Sequence, residues 1–163
     1  MSGKCLVLAK ITNFIRLLIF EKVDGCLFLQ KTDRMAKRKV EIELYSYGEY
    51  AEWDRQSKSI PRLVAITETV GAEIGTEFGY VLKIRHGKGK KLDFRIDHPS
   101  FPDKEGEVAP PFTGEQYIRS NDYEFFLGDC IWEPLEDKLG NWTMTTWLDG
   151  KIVAQKTLRL VAK

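Results

Sequence analysis

The stretch that decides the fold is residues 141–161, NWTMTTWLDGKIVAQKTLRLV. Trp142, Met144, Thr146 and Leu148 alternate with Thr143, Thr145 and Trp147. That period of two belongs to a strand with one buried face. Asp149-Gly150 follows, and this dipeptide suits a two-residue type I′ turn, whose central positions both need positive φ. Ile152 to Val161 then returns as a strand with Ala154, Leu158 and Leu160 on one face. The reading is a hairpin in which Trp142 is core and Trp147 lies on the opposite face. It has the look of the last two strands of an immunoglobulin-like sandwich.

The same period recurs upstream. Val40, Ile42 and Leu44 alternate with Glu41, Glu43 and Tyr45. Gly48 and the polar run 54–59 close that strand as a loop, and Leu63 to Thr69, rich in β-branched residues, is a second strand. Phe78, Tyr80, Leu82 and Ile84 face one way, against Val81, Lys83 and Arg85. Beyond the turn His86-Gly87-Lys88-Gly89-Lys90, the residues Leu92, Phe94 and Ile96 alternate with Asp93, Arg95 and Asp97. These two runs are expected to pair as a hairpin. Four of the six prolines fall within 99–114, a composition suited to a surface connection. Tyr117-Ile118 is a short strand, and Tyr123, Phe125 and Leu127 mark a longer one. After residue 40 no amphipathic helical pattern occurs. Seven or eight short strands imply an all-β chain, an antiparallel immunoglobulin-like β-sandwich.

Composition bounds the rest. In 163 residues, 25 Lys and Arg stand against 24 Asp and Glu, a net charge of +1, which argues against a general nucleic-acid binder. Residues 1–34 hold six basic and three acidic residues, so the leader is basic and the remainder mildly acidic. Within the leader, CLVLAKITNFIRLLIF (5–20) is apolar but broken by Lys10 and Arg16, too short in its clean runs for a signal-peptide core. One reading is an amphipathic membrane-surface helix, with Lys10, Arg16 and Lys22 flanking Phe14, Ile15, Leu18 and Ile19. A stronger expectation comes from Met35-Ala36-Lys37-Arg38-Lys39, which has the form of a translation start. On that reading 1–34 is an appendage or upstream sequence, and 35–163 is the sandwich domain. The expected location is cytoplasmic, and membrane contact is the lesser expectation.

Several chemistries lack their residues. Cys5, Cys26 and Cys130 form no Cys-x-x-Cys pair, and with only His86 and His98 there is no zinc-type cluster, so no metal or cofactor is expected. Cys130 reads as a free thiol with nothing adjacent to stabilise a thiolate. Gly71, Gly75 and Gly79 lack the order and following helix of a phosphate cradle. No Gly-x-Ser-x-Gly elbow exists. Asn141-Trp142-Thr143 matches a glycosylation sequon but carries meaning only on a secretory route.

The tracts Tyr47-Gly48-Glu49-Tyr50, Gly75-Thr76-Glu77-Phe78-Gly79-Tyr80, His98-Pro99 and Gly140-Asn141-Trp142-Thr143, with Asp149-Gly150-Lys151, carry a resemblance. Over residues 40–161 the chain resembles an uncharacterised bacterial family, domain of unknown function 3859. Val70-Gly71 stands where that family usually has a proline. The resemblance implies an immunoglobulin-like β-sandwich and no activity, cofactor or catalytic residue.

Two surfaces and one alternative remain. Tyr45 and Tyr47 share a strand face on strict alternation and could offer an aromatic contact strip to a protein partner or glycan. Lys83, Arg85, His86, Lys88, Lys90, Lys91 and Arg95 make the expected second hairpin the densest basic feature. Through Arg85, Lys88, Lys90 and Lys91 it could meet phosphates or an acidic partner. The main expectation is a non-enzymatic interaction module with a protein partner. The alternatives are a small hydrolase using Asp97-His98 as an orienting pair, and a membrane-surface protein acting through 5–20.

Overall fold

The computed structural model describes residues 38–53, 59–103 and 105–163, together with the backbone of short strands between residues 5 and 30. The chain divides into two compact units, Met1–Arg38 and Lys39–Lys163. In the first unit, Leu18–Val23 pairs antiparallel with both Cys5–Val7 and Cys26–Gln30, and Lys10–Ile11 pairs with Phe14–Ile15. Where residues of 5–20 are described they lie in strands, not in the amphipathic helix considered for that stretch, in keeping with its β-branched and aromatic content. Met35, Ala36 and Lys37 of the proposed start lie outside the described residues.

The second unit has nine strands among its described residues: β1 (Glu41–Tyr50), β2 (Leu63–Ala65), β3 (Thr69–Ala72), β4 (Glu77–Arg85), β5 (Lys91–Asp97), β6 (Phe112–Tyr117), β7 (Asp122–Cys130), β8 (Gly140–Leu148) and β9 (Lys151–Ala162). They form two sheets, β6-β5-β8-β9-β3 and β7-β4-β1-β2, which is an all-β sandwich. All pairs are antiparallel except β9 with β3. The β8–β9 hairpin forms as the sequence dictates: Leu148 faces Lys151, and Asp149 and Gly150 have φ of 51° and 74°.

The expected strand Leu63 to Thr69 splits in two. The Thr67 hydroxyl accepts a hydrogen bond from the Thr69 amide at 3.0 Å, bending the chain out of one sheet and into the other. The expected pairing of 78–85 with 92–96 does not occur. β4 is flanked by β1 and β7, and β5 by β6 and β8, so the two share no ladder. The turn between them is a crossover from sheet to sheet. Gly87 makes it possible, because a Cβ there would lie 2.9 Å from Ile84 and 3.1 Å from Ile118.

Between the sheets lie Phe78, Tyr80, Leu82 and Ile84 of β4, Leu92 and Ile96 of β5, Trp142 and Met144 of β8, and Leu158 and Leu160 of β9, all buried. Each such side chain contributes roughly 1.5–3 kcal/mol by leaving water. Trp142 meets Phe78 edge-on at 5.1 Å and donates its indole N–H to the Lys138 carbonyl at 2.9 Å. Mid-core, the Tyr80 and Thr146 hydroxyls hydrogen-bond at 2.6 Å, each the other's only escape from an unsatisfied burial.

Candidate interaction surface

Strand register fixes which connections share an end. Glu41 faces Arg85, Arg85 faces Asp122, Lys91 faces Tyr117 and Leu92 faces Leu148. One end is therefore built from 38–40, 86–90, 118–121 and the hairpin turn 149–150. Among the described residues, the other is built from 51–53, 59–62, 73–76, 98–103, 105–111, 131–139 and residue 163. At the first end, the described connection residues carry five Lys and Arg (Arg38, Lys39, Lys88, Lys90 and Arg119) and one carboxylate, Asp149. Strand-terminal Arg85, Lys91 and Lys151 add three cations, against Glu41 and Asp122. At the second end the sign reverses. Among its described residues, Glu52, Glu73, the run Asp103, Glu105 and Glu107, and the run Glu133, Glu136 and Asp137 stand against Arg62, Lys138 and Lys163.

The basic end is tied together by its backbone. His86 donates its amide to the Asn121 carbonyl and Gly89 to the Ile118 carbonyl, while Ile118 donates back to Lys90, each at 2.9 Å. The Lys88 amide reaches the Asn121 side-chain oxygen at 3.3 Å. The Lys88 side chain is exposed, as are Arg85, Arg119 and Lys151. Lys90 is ion-paired with Asp149 across to the hairpin turn. Lys91 lies 2.5 Å from Glu115 and 3.3 Å from Asp93, and these carboxylates, Glu115 foremost, raise its pKa. Exposed Tyr117 and Ile152 flank this end.

The basic residues expected to act as one hairpin are thus redistributed. Lys83 sits on the outer face of the four-stranded sheet with Glu124 at 3.7 Å, and Arg95 donates to Asp97 at 2.8 Å, so neither joins the end cluster. Arg119 and Lys151, far away in sequence, do join it. The available signal was topological: from β4 onward each strand reverses the direction of the one before, which sends every second connection to the same end.

The aromatic strip does not form. A register shift between Leu44 and Ser46 marks a β-bulge at Tyr45, which reverses the alternation beyond it. Tyr45 is exposed on the outer face with the Lys83 ammonium 3.3 Å from its ring centre, whereas Tyr47 packs against the core under Lys156 at 3.7 Å. Tyr50 and Trp53 are covered instead. They pack on Phe126 at 4.9 and 5.6 Å, and Tyr50 hydrogen-bonds Ser46 at 2.9 Å. Burial raises the Tyr50 pKa, with the Ser46 bond opposing.

Asp97 and His98 are not brought together as an acid–base pair. The Asp97 carboxylate is held by Arg95. The His98 ring has Nδ1 2.8 Å from the Pro99 carbonyl oxygen and Nε2 3.0 Å from that of Pro110. It also stacks on Phe101 at 4.2 Å and leans on Phe112 and Trp142. Neither ring nitrogen is presented to a substrate. Beside it lies a feature the sequence did not signal. Lys138 is only 3% exposed, so its charge must be met locally, by Asp137 and by the Phe101 and Trp132 rings at 4.4 and 4.9 Å. No group of three or more metal-ligating side chains occurs among the described residues. Nor is any described helix long and apolar enough to cross a membrane.

The sequence profile of domain of unknown function 3859 matches residues 38–160. The chain belongs to this family. A crystal structure of an immunoglobulin-like protein from Pseudomonas aeruginosa superposes with a TM-score of 0.64 at 19% identity, covering 77% of this chain and 99% of that one. The domain of unknown function 3859 thus has an immunoglobulin-like fold here. The alkylpurine DNA glycosylase AlkC of Pseudomonas fluorescens, bound to DNA containing an abasic site analog, aligns with a TM-score of 0.38 at 11% identity over 78% of this chain and 32% of that one. The search of curated proteins returned no match.

Proposed function

We propose that this member of domain of unknown function 3859 is a non-catalytic binding module whose contact surface is the basic loop end, and whose partner is negatively charged. The carrying observation is the segregation of charge among the described residues of the two ends: five cations and one carboxylate in one set of connections, eight carboxylates and three cations in the other. The long strands β1, β4, β7, β8 and β9 span nine to twelve residues, about 30–40 Å. That is several Debye lengths at physiological salt, so a partner at one end is screened from the other. The mildly acidic net charge of the sandwich averages two opposed surfaces and describes neither.

The test is retention on immobilised heparin, a polyanion, across a salt gradient. Lys88→Glu, Arg119→Glu and Lys151→Glu are combined in one variant. Arg62→Glu, Arg159→Glu and Lys163→Glu are combined in another, with the same net charge but changes elsewhere. Only the first is expected to lose retention. Equal loss in both would show that net charge, not the basic end, governs binding.

A further inference from the structure

We infer that the free edge of β7 is a dimerisation site, where a second copy of this chain adds its own β7 antiparallel about a two-fold axis at Phe126. The site lies wholly within the sandwich unit and does not depend on the basic end.

β7 stands at the edge of its sheet and pairs only with β4. The phase of that ladder is fixed at both ends. His86 donates its amide to the Asn121 carbonyl, and Ile131 donates its amide to the Thr76 carbonyl, each at 2.9 Å. Between these bonds the register runs unbroken from Asp122 opposite Arg85 to Cys130 opposite Glu77. Bonded and non-bonded positions alternate in an antiparallel ladder, so the odd-numbered residues bond β4. Asp122, Glu124, Phe126, Gly128 and Cys130 direct their backbone groups away from it, to the open edge. Two of these groups are closed off by side chains. The Ser120 hydroxyl donates to the Asp122 carbonyl, and Asp129 Oδ1 accepts the Cys130 amide at 2.9 Å. Among the described residues, no hydrogen bond closes the backbone of Glu124, Phe126 or Gly128 on that side.

Sheet edges are normally blunted by short length, proline, lysine or a bulge. The edge strands β2, β3 and β6 have three, four and six residues. β7 has nine, with neither proline nor lysine and no break in register. It is the edge that most needs cover. Self-pairing fits it in one register. Centred on Phe126, it sets Phe126 against Phe126 and Glu124 against Gly128 of the second copy, and each such pair exchanges two backbone bonds. Moving the centre to Phe125 or Leu127 would draw on the Asp122 carbonyl or the Cys130 amide, which side chains already occupy. Charge favours the same register. Asp122 and Glu124 hold one half of the edge, Gly128 and Cys130 the other, so acidic positions meet uncharged ones and no carboxylate opposes another. The outer cluster of Tyr50, Trp53 and Phe126 in each copy meets its mate at the axis.

The experiment is sedimentation velocity of the full chain over a concentration series. The wild type is expected to pass from monomer to dimer. Glu124→Pro removes an outward amide and no bond to β4. By symmetry it deletes a bond on each side of the axis, so the dissociation constant is expected to rise roughly tenfold or more, with the thermal midpoint near that of the wild type. Asp122→Cys, combined with Cys5→Ser and Cys26→Ser, tests the register. Opposed residues of a bonded pair have Cα atoms about 5.5 Å apart, within disulfide reach. Mild oxidation is expected to join position 122 to Cys130 of the second copy, read by mass spectrometry of the linked peptides. Within one copy the two positions are roughly 25 Å apart along the strand and cannot join. Should Glu124→Pro not fold, the cross-link decides in its place. A dimer that Glu124→Pro leaves intact, or no link between 122 and 130, overturns the assignment. A monomer at every concentration also overturns it, and leaves the edge to an extended peptide of another protein.

Discussion

The two ends of this sandwich are built to opposite plans. At the acidic end the connections fold inward. Phe101 stacks on His98 and Trp142, Trp132 stands edge-on to Trp142 at 6.1 Å, and Lys138 is sealed between Phe101 and Trp132. At the basic end the connections are short and carry little apolar surface inward beyond Ile118. Gly89 and Gly150, both at positive φ, open onto empty space. One end thus closes the core, and the other is free to vary its charge without disturbing packing. In a sandwich with one shared core, the contact surface is best placed where folding demands least.

That contrast can be broken experimentally, most severely at the closed end. Trp142→Ala removes a fully buried indole and leaves the Lys138 carbonyl without its donor. The expected cost is about 3–5 kcal/mol in chemical denaturation. A loss under 1 kcal/mol would mean that the aromatic cluster is not what holds that end.

Between the ends, Tyr80 gives a pH signature. Burial pushes its pKa up to about 12, with the Thr146 hydrogen bond opposing. In the unfolded chain a tyrosine ionises near 10, so between these values the unfolded state has released a proton that the folded state retains. Stability is therefore full below pH 10 and falls as pH rises toward 12, by up to roughly 2–3 kcal/mol. Tyr80→Phe should flatten this decline while costing about 1–3 kcal/mol at neutral pH, since Thr146 loses its buried partner. Denaturation midpoints across alkaline pH, with both proteins, decide it.

Smaller effects are expected at the open end. Gly87→Ala places a methyl against Ile84 and Ile118, at 2.9 and 3.1 Å. Both contacts are side-chain methyls that can shift, so about 1–2 kcal/mol is expected. Lys88→Glu touches nothing that holds the fold and should leave the midpoint within about 0.5 kcal/mol. Its effect should appear in heparin retention alone. A large stability loss from Lys88→Glu would show that the basic end is structural after all.

Much of the fold was legible before any coordinates. Asp149-Gly150 states its turn, and the alternation around Trp142, Tyr80 and Leu92 names the core faces. Other features escaped. One inserted residue, Tyr45, reversed the phase of β1 and sent Tyr45 and Tyr47 to opposite faces, because side-chain direction has a period of two and any bulge inverts it. Lys138 reads as an ordinary charged turn residue in EDK, and only the meeting of Phe101 and Trp132 over it makes it buried.

The sequence by itself missed the split of 63–69 and the start of β6 at Phe112. It determined that the body of this chain is all-β, where its long strands run, most of the side chains that meet in the core, and the turn of its last hairpin. These are local properties, set by periodicity and by the φ demands of a few residues. The tertiary structure alone decided that β4 and β5 lie in different sheets, and that Arg119 and Lys151 join Lys88 at one end while the carboxylates gather at the other. Strand neighbours and shared ends depend on pairings between distant segments. The energy of those pairings comes from a common core, and no local pattern records it.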